Sequence, residues 1–168
     1  FAANCSNLKY ISANVCWSSV TTLQRAFNGC TNLEILNLGD TWNTINCISF
    51  YETFCNCSSL KQIPLLITSS ATTLYSMCYG CSSLKIIQGD TWDLSNCNSI
   101  ARTFHSCNVL TTLPYLANTG NVTEAYECFY NCRSLKKLHD KQLSLDTSSV
   151  KSAYNMFYGC LSLEESPE

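Results

Sequence analysis

The feature that most restricts this chain is a phrase that returns throughout it: an aromatic residue, two residues, cysteine, two residues, leucine. It stands as FNGCTNL from Phe27, FCNCSSL from Phe54, CYGCSSL from Cys78 and FHSCNVL from Phe104. It continues as FYNCRSL from Phe129 and FYGCLSL from Phe157, with a looser AANCSNL from Ala2. The anchor cysteines Cys5, Cys30, Cys57, Cys81, Cys107, Cys132 and Cys160 follow one another at intervals of 25, 27, 24, 26, 25 and 28 residues. Units of this size cannot bury an apolar face alone, so they stack and share one continuous interior. Residues 1–168 therefore read as a single repeat domain.

Each unit has two halves. After the anchor comes an apolar alternation, as in Leu33, Leu36, Leu38; Leu60, Ile63, Leu65; Leu84, Ile87; Leu110, Leu113, Tyr115; and Leu135, Leu138. The LxxLxL spacing marks a short strand with alternate side chains facing inward. With the aromatic as position 0, a second apolar set occupies positions −7, −4, −1 and 0. Val20, Leu23, Ala26, Phe27 form one such set; Ala71, Leu74, Met77, Cys78 and Val150, Ala153, Met156, Phe157 form others. That periodicity predicts a helix of about two turns. The fold expected is an α/β solenoid, leucine-rich-repeat-like, with about seven stacked strand-plus-short-helix turns and a parallel sheet.

A longer period lies over the first. Gly-Asp-Thr-Trp occurs at Gly39–Trp42 and again at Gly89–Trp92, and Pro64 and Pro114 are offset by the same 50 residues. Proline removes a ladder donor, so irregular strands are expected in alternate units. Trp42 and Trp92 read as corner fillers with Asp40 and Asp90 capping the turn, or else as sugar-stacking rings.

The phrases FYGCLSLEE, CYGCSSLKII and DTSSVKSAYNMFYGC resemble the BspA-like leucine-rich-repeat surface proteins, whose unit is about 26 residues. The resemblance spans nearly the whole chain. It implies an exported protein that works in adhesion or recognition, on a cell or a virion. The heavy cysteine load and the alternation of GDTW and Pro units depart from the usual pattern of that family.

Thirteen cysteines would ordinarily mark a disulfide scaffold. Their positions argue for something else: seven are the anchors, Cys47 and Cys97 fall at position −7, Cys78 at position 0 and Cys128 at −1. These read as small hydrophobes in a stacked thiol ladder. Cys55 and Cys16 fall outside the columns and are the candidates for one or two disulfides. No zinc-type pairing of C-x-x-C with histidines is present, so no metal and no cofactor is expected.

Two surfaces are candidates for binding. Tyr51, Tyr75, Tyr79, Tyr126, Tyr130, Tyr154 and Tyr158 fall at −3 and +1, which places them in one stripe along the stack. They either seal the grooves between units or form an aromatic contact surface. The strand face should carry Tyr10, Ser12, Ile35, Asn37, Gln62, Pro64, Ile86, Gln88, Thr112, Pro114, Lys137 and His139, bordered by Lys9, Lys61, Lys85 and Lys136. It is either an ordinary solvated face or a site for a carbohydrate or a flat protein. Of three Asn-x-Ser/Thr sequons, at Asn4, Asn56 and Asn121, the last is the one expected to be accessible.

The formal net charge of −2 offers no field for nucleic acid or an anionic membrane. No stretch reaches the roughly 18 apolar residues of a membrane span. The two histidines, His105 and His139, occupy different columns, and no nucleophile–base constellation accompanies them. The reading is non-catalytic: a recognition module at the cell surface, outside the cell or on a virion, with a protein or glycan partner. The alternative is a structural protein that joins copies of itself. The start at Phe1 and the tail Glu164–Glu168 fit a processed product or part of a longer array.

Overall fold

The computed structural model describes residues 1–12, 17–37, 42–139 and 145–164. Cys16, Leu38, the first corner Gly39–Asp40–Thr41 and the tail after Glu164 lie outside the described residues. Repeats pair in parallel and in chain order. A column of one-residue bridges runs Thr22, Ser49, Thr73, Ser99, Glu124, Ser152 at position −5.

No α-helix occurs among the described residues, which corrects the expected short helices. The segments around the aromatics are instead two successive tight turns. In the second repeat, Ala26 N–H donates to Leu23 O at 3.0 Å and Cys30 N–H to Phe27 O at 3.1 Å. The third residue of each turn has positive φ, 54° at Arg25 and 75° at Gly29, the signature of a type II turn. Positions −2 and +2 are left-handed in every later repeat as well: Glu52 and Asn56, Ser76 and Gly80, Arg102 and Ser106, Glu127 and Asn131, Asn155 and Gly159. A four-residue turn period sends −4, −1, 0 and +3 inward, which mimics the apolar pattern of a helix.

These turns aim alternate N–H groups along the stack. Between the second and third repeats, Leu23, Arg25, Phe27 and Gly29 donate to Ser49, Tyr51, Thr53 and Cys55 carbonyls at 2.8–2.9 Å. The same four positions donate to the next repeat at every later junction, through Ala125, Glu127, Phe129 and Asn131 to the carbonyls of Ser152, Tyr154, Met156 and Tyr158. The left-handed +2 column also explains an alternation of Asn with Gly. A Cβ on Gly80 would stand 2.7 Å from Asn56 Oδ1, so each Asn lies over a glycine of the next repeat.

The strand side is discontinuous. Among the described residues three short parallel pairs replace the single sheet expected: β1 (Tyr10–Ser12) with β2 (Ile35–Asn37), β3 (Gln62–Ile63) with β4 (Ile86–Ile87), and β5 (Thr91–Asp93) with β6 (Tyr115–Ala117). The prolines set the breaks. In the paired register Gln88 N–H donates to Ile63 O at 3.1 Å. Pro64 and Pro114 occupy the donor position equivalent to Gln88 and have no N–H, so the carbonyls of Leu36 and Ile87 lose that bond.

One core runs the length of the stack. Phe27, Phe54, Phe104 and Phe129 are fully buried; Phe27 and Phe54 stack at 5.5 Å, and Trp42 packs against both with ring centroids 6.0 Å from each. Trp92 stacks on Phe104 at 5.6 Å. Both corner tryptophans are thus interior residues and have no face to offer a sugar.

Candidate binding surfaces

The anchor thiols are part of the hydrogen-bonding scheme. Each sulfur lies one repeat beyond the carbonyl it addresses: Cys57 Sγ to Phe27 O at 3.0 Å, Cys81 to Phe54 O at 3.0 Å, Cys107 to Cys78 O at 3.2 Å and Cys132 to Phe104 O at 3.0 Å. Cys30 and Cys160 do the same at 2.9 Å, to Ala2 O and Phe129 O. Cysteine suits the site because it is small and apolar and still brings a weak donor. Cys30, Cys57, Cys81, Cys107 and Cys132 are buried; Cys160 is half-buried and Cys5, in the first repeat, is exposed, so the thiol core does not reach Cys5. Burial pushes several thiols toward the protonated form: Cys97 is raised to about 11 and Cys55 to about 12, and Cys57, Cys107 and Cys132 are raised as well. The twelve described cysteines are free thiols, Cys55 among them. Cys55 and Cys97, with raised pKa values, are poor nucleophiles for the same reason. Among the described residues no group of three or more His, Cys, Asp or Glu side chains is placed to hold a metal ion.

The tyrosines form two ladders on the outer surface of the turns. At position −3, Tyr51 stacks on Tyr75 with centroids 5.1 Å apart, and Tyr126 on Tyr154 at 4.9 Å. Ala101 leaves a gap in that ladder, across which Tyr75 meets Tyr126 edge-on at 6.4 Å. At +1, Tyr79, His105, Tyr130 and Tyr158 stack successively at 4.5, 4.6 and 5.0 Å. Their common surface, inferred from a helical period, comes from the four-residue turn period instead. Charged clamps that the repeat pattern does not reveal lie between the ladders: Arg25 Nε to Glu52 Oε2 and Arg102 Nε to Glu127 Oε2, both 2.7 Å. Each guanidinium lies 5.5–5.6 Å from a tyrosine centroid, Tyr51 or Tyr126. Burial first, and then the neighbouring Tyr75, raises the Tyr126 phenol to about 12. Most rings are half-buried, while Tyr154 and Tyr158 are 54% and 61% exposed. Because the rings cover one another's faces, the ladders present edges and hydroxyl groups.

On the strand side the position +8 column carries Tyr10, Ile35, Gln62, Ile86, Thr112 and Lys137. Tyr10 is 60% and Ile86 54% exposed, and Gln62 is half-buried. Two columns on, Gln88 is exposed, Pro64 and His139 are half-buried, and Pro114 is buried rather than presented. Ser12 and Asn37 lie in β1 and β2. His139 is 6.0 Å from the Tyr115 ring and His105 is in the turn-side ladder, so the two histidines stand in separate columns. A depression of about 250 Å³ opens where Pro114 interrupts the ladder, lined in part by Gly89, Asp90, Thr112, Lys137 and His139. The Asn121 side chain of the third sequon is exposed and donates to Ser95 O at 2.6 Å. No helix of the described residues is long and apolar enough to cross a membrane.

Among solved structures, a leucine-rich repeat protein from Eubacterium ventriosum matches 89% of this chain with a TM-score of 0.56 and 20% identity. The chain covers 43% of that protein, so it spans less than half of its length. A T. pallidum leucine-rich repeat protein matches 97% of the chain and is covered over 68%, with a TM-score of 0.45 and 21% identity. The Eubacterium match identifies a leucine-rich-repeat fold. No curated protein matches the chain. A family model described as "Mycoplasma protein of unknown function, DUF285" matches residues 3–114 and 72–167, which together take in nearly all seven phrases. The chain belongs to the DUF285 family of repeat proteins.

Proposed function

We propose that this protein is a non-catalytic recognition module of the BspA-like type, displayed at a cell surface, outside the cell or on a virion, where it binds a protein or a glycan. The observation that carries this reading is the double ring ladder. Seven tyrosines and His105 are held in register on one surface by stacking, and little side-chain freedom is left to lose on contact. Tyrosine-rich, preorganised surfaces of this kind suit a protein partner that takes hydrogen bonds from phenols and packs on ring edges. The core has no need of these hydroxyls.

The test is binding of the purified chain to arrays of cell-surface proteins and glycans. Paired Tyr75→Ala and Tyr130→Ala substitutions should reduce binding at least tenfold, with circular dichroism and melting temperature showing that the fold persists. Blank arrays with the unaltered chain would remove the reading.

A further inference from the structure

We propose that the protein partner of the ring ladders is a second copy of this chain, docked antiparallel with turn face on turn face, which rests on the recognition reading and names its partner. The period of the surface is the starting point. Successive rings stand 4.5–5.1 Å apart through Tyr51–Tyr75, Tyr126–Tyr154 and Tyr79–His105–Tyr130–Tyr158. A surface with so regular a rise is met rung for rung by a surface of the same rise, and a second copy has it. The chemistry is self-complementary too, because a phenol hydroxyl both donates and accepts.

Charge decides the orientation. Between the ladders the −2 column runs Arg25, Glu52, Ser76, Arg102, Glu127, Asn155, so an arginine, a glutamate and a neutral residue recur every third repeat. Two copies face to face and pointing the same way would set Arg25 against Arg25 and Glu52 against Glu52. Reversing one copy about a two-fold axis beside Ser76 sets Arg25 opposite the partner's Glu127 and Glu52 opposite the partner's Arg102, and the symmetry repeats both pairs. Each in-chain pair, Arg25–Glu52 or Arg102–Glu127, then becomes half of a square in which every neighbour has the opposite sign. The arginines are the outer members, 57% and 36% exposed against 18% and 15% for the glutamates. A guanidinium bonded through Nε keeps further N–H donors for a second carboxylate. The strand face has no such match: its +7 column carries Lys9, Lys61, Lys85 and Lys136 against Glu34, so two copies repel there. At a strand spacing of about 4.8 Å the rungs from Arg25 to Glu127 span roughly 20 Å, a contact of the size that weak, reversible encounters use.

The experiment is sedimentation of the full chain from the micromolar to the millimolar range. It should show a reversible monomer–dimer equilibrium that salt weakens. Glu52→Arg and Arg102→Glu should each raise the dissociation constant tenfold or more, because each sets like charges across the face twice. Mixing the two variants should restore the dimer, since the altered positions then face each other with opposite sign. That rescue is a readout that a folding defect cannot imitate. A chain monomeric throughout, a dimer indifferent to both substitutions, or a mixture that stays monomeric would overturn the proposal. Array binding to other proteins that Tyr75→Ala and Tyr130→Ala abolish, in a chain that stays monomeric, would sink the second copy and leave the recognition reading standing.

Discussion

The two sides of each repeat solve the same stacking problem differently. On the turn side, four N–H groups per repeat bond to the next repeat at every full junction from Leu23 to Tyr158, and the thiol column adds a fifth contact. On the strand side the pairing is interrupted at Pro64 and Pro114, leaving three separate two-stranded pieces among the described residues. Cohesion therefore resides in the turns. The strand side is released from carrying the stack, which lets it vary from repeat to repeat and open a depression.

The comparison can be broken most severely at high pH. Burial holds the Cys97 and Cys55 thiols protonated, with folded-state pKa values raised from the ordinary 9.0 to about 11 and about 12. A raised value means the stabilisation is complete below pH 9 and is lost as pH climbs through 11 and 12. Denaturant melts should show that loss over this window, and Cys97→Val should move it to higher pH. Next comes the ring stack: Phe54→Ala should cost about 3–5 kcal/mol by chemical denaturation, because the ring is fully buried against Phe27 and Trp42. A smaller effect separates the two roles of the anchor thiol. Cys107→Ala should cost about 1–2 kcal/mol, through a lost donor to Cys78 O and a small void. The smallest belongs to the strand side: Pro114→Ala should change stability by less than about 1 kcal/mol, since the turns hold the stack without that bond.

The sequence made the repeat, its inward columns and the proline interruptions legible, because each follows from spacing alone. The turns were not legible from the apolar pattern, since positions −7, −4, −1 and 0 are shared by a helix and by turns of four residues. The distinguishing signal was at +2, where Gly29, Asn56, Gly80, Asn131 and Gly159 are residues that accept a left-handed backbone, with Ser106 the one departure. Position −2 gave no such hint: Arg25, Glu52, Arg102 and Glu127 are held left-handed by the stack, against their own preference. The tyrosine stripe was visible as a pattern, yet its stacking geometry depends on the rise between repeats, which no single repeat encodes. The depression at Pro114 was hidden for the same reason, since its lining comes from three consecutive repeats and a missing proline N–H.

Native-state hydrogen exchange of the fifth repeat tests most directly whether the turns carry the stack. The amides of Arg102, Phe104 and Ser106, which donate to Tyr126, Cys128 and Tyr130 at 3.0, 2.9 and 2.7 Å, should exchange only through global unfolding. The exposed Thr112 amide, with no acceptor among the described residues, should exchange orders of magnitude faster. Equal rates on the two sides, or protection at Thr112 matching that at Phe104, would contradict the assignment of cohesion to the turns.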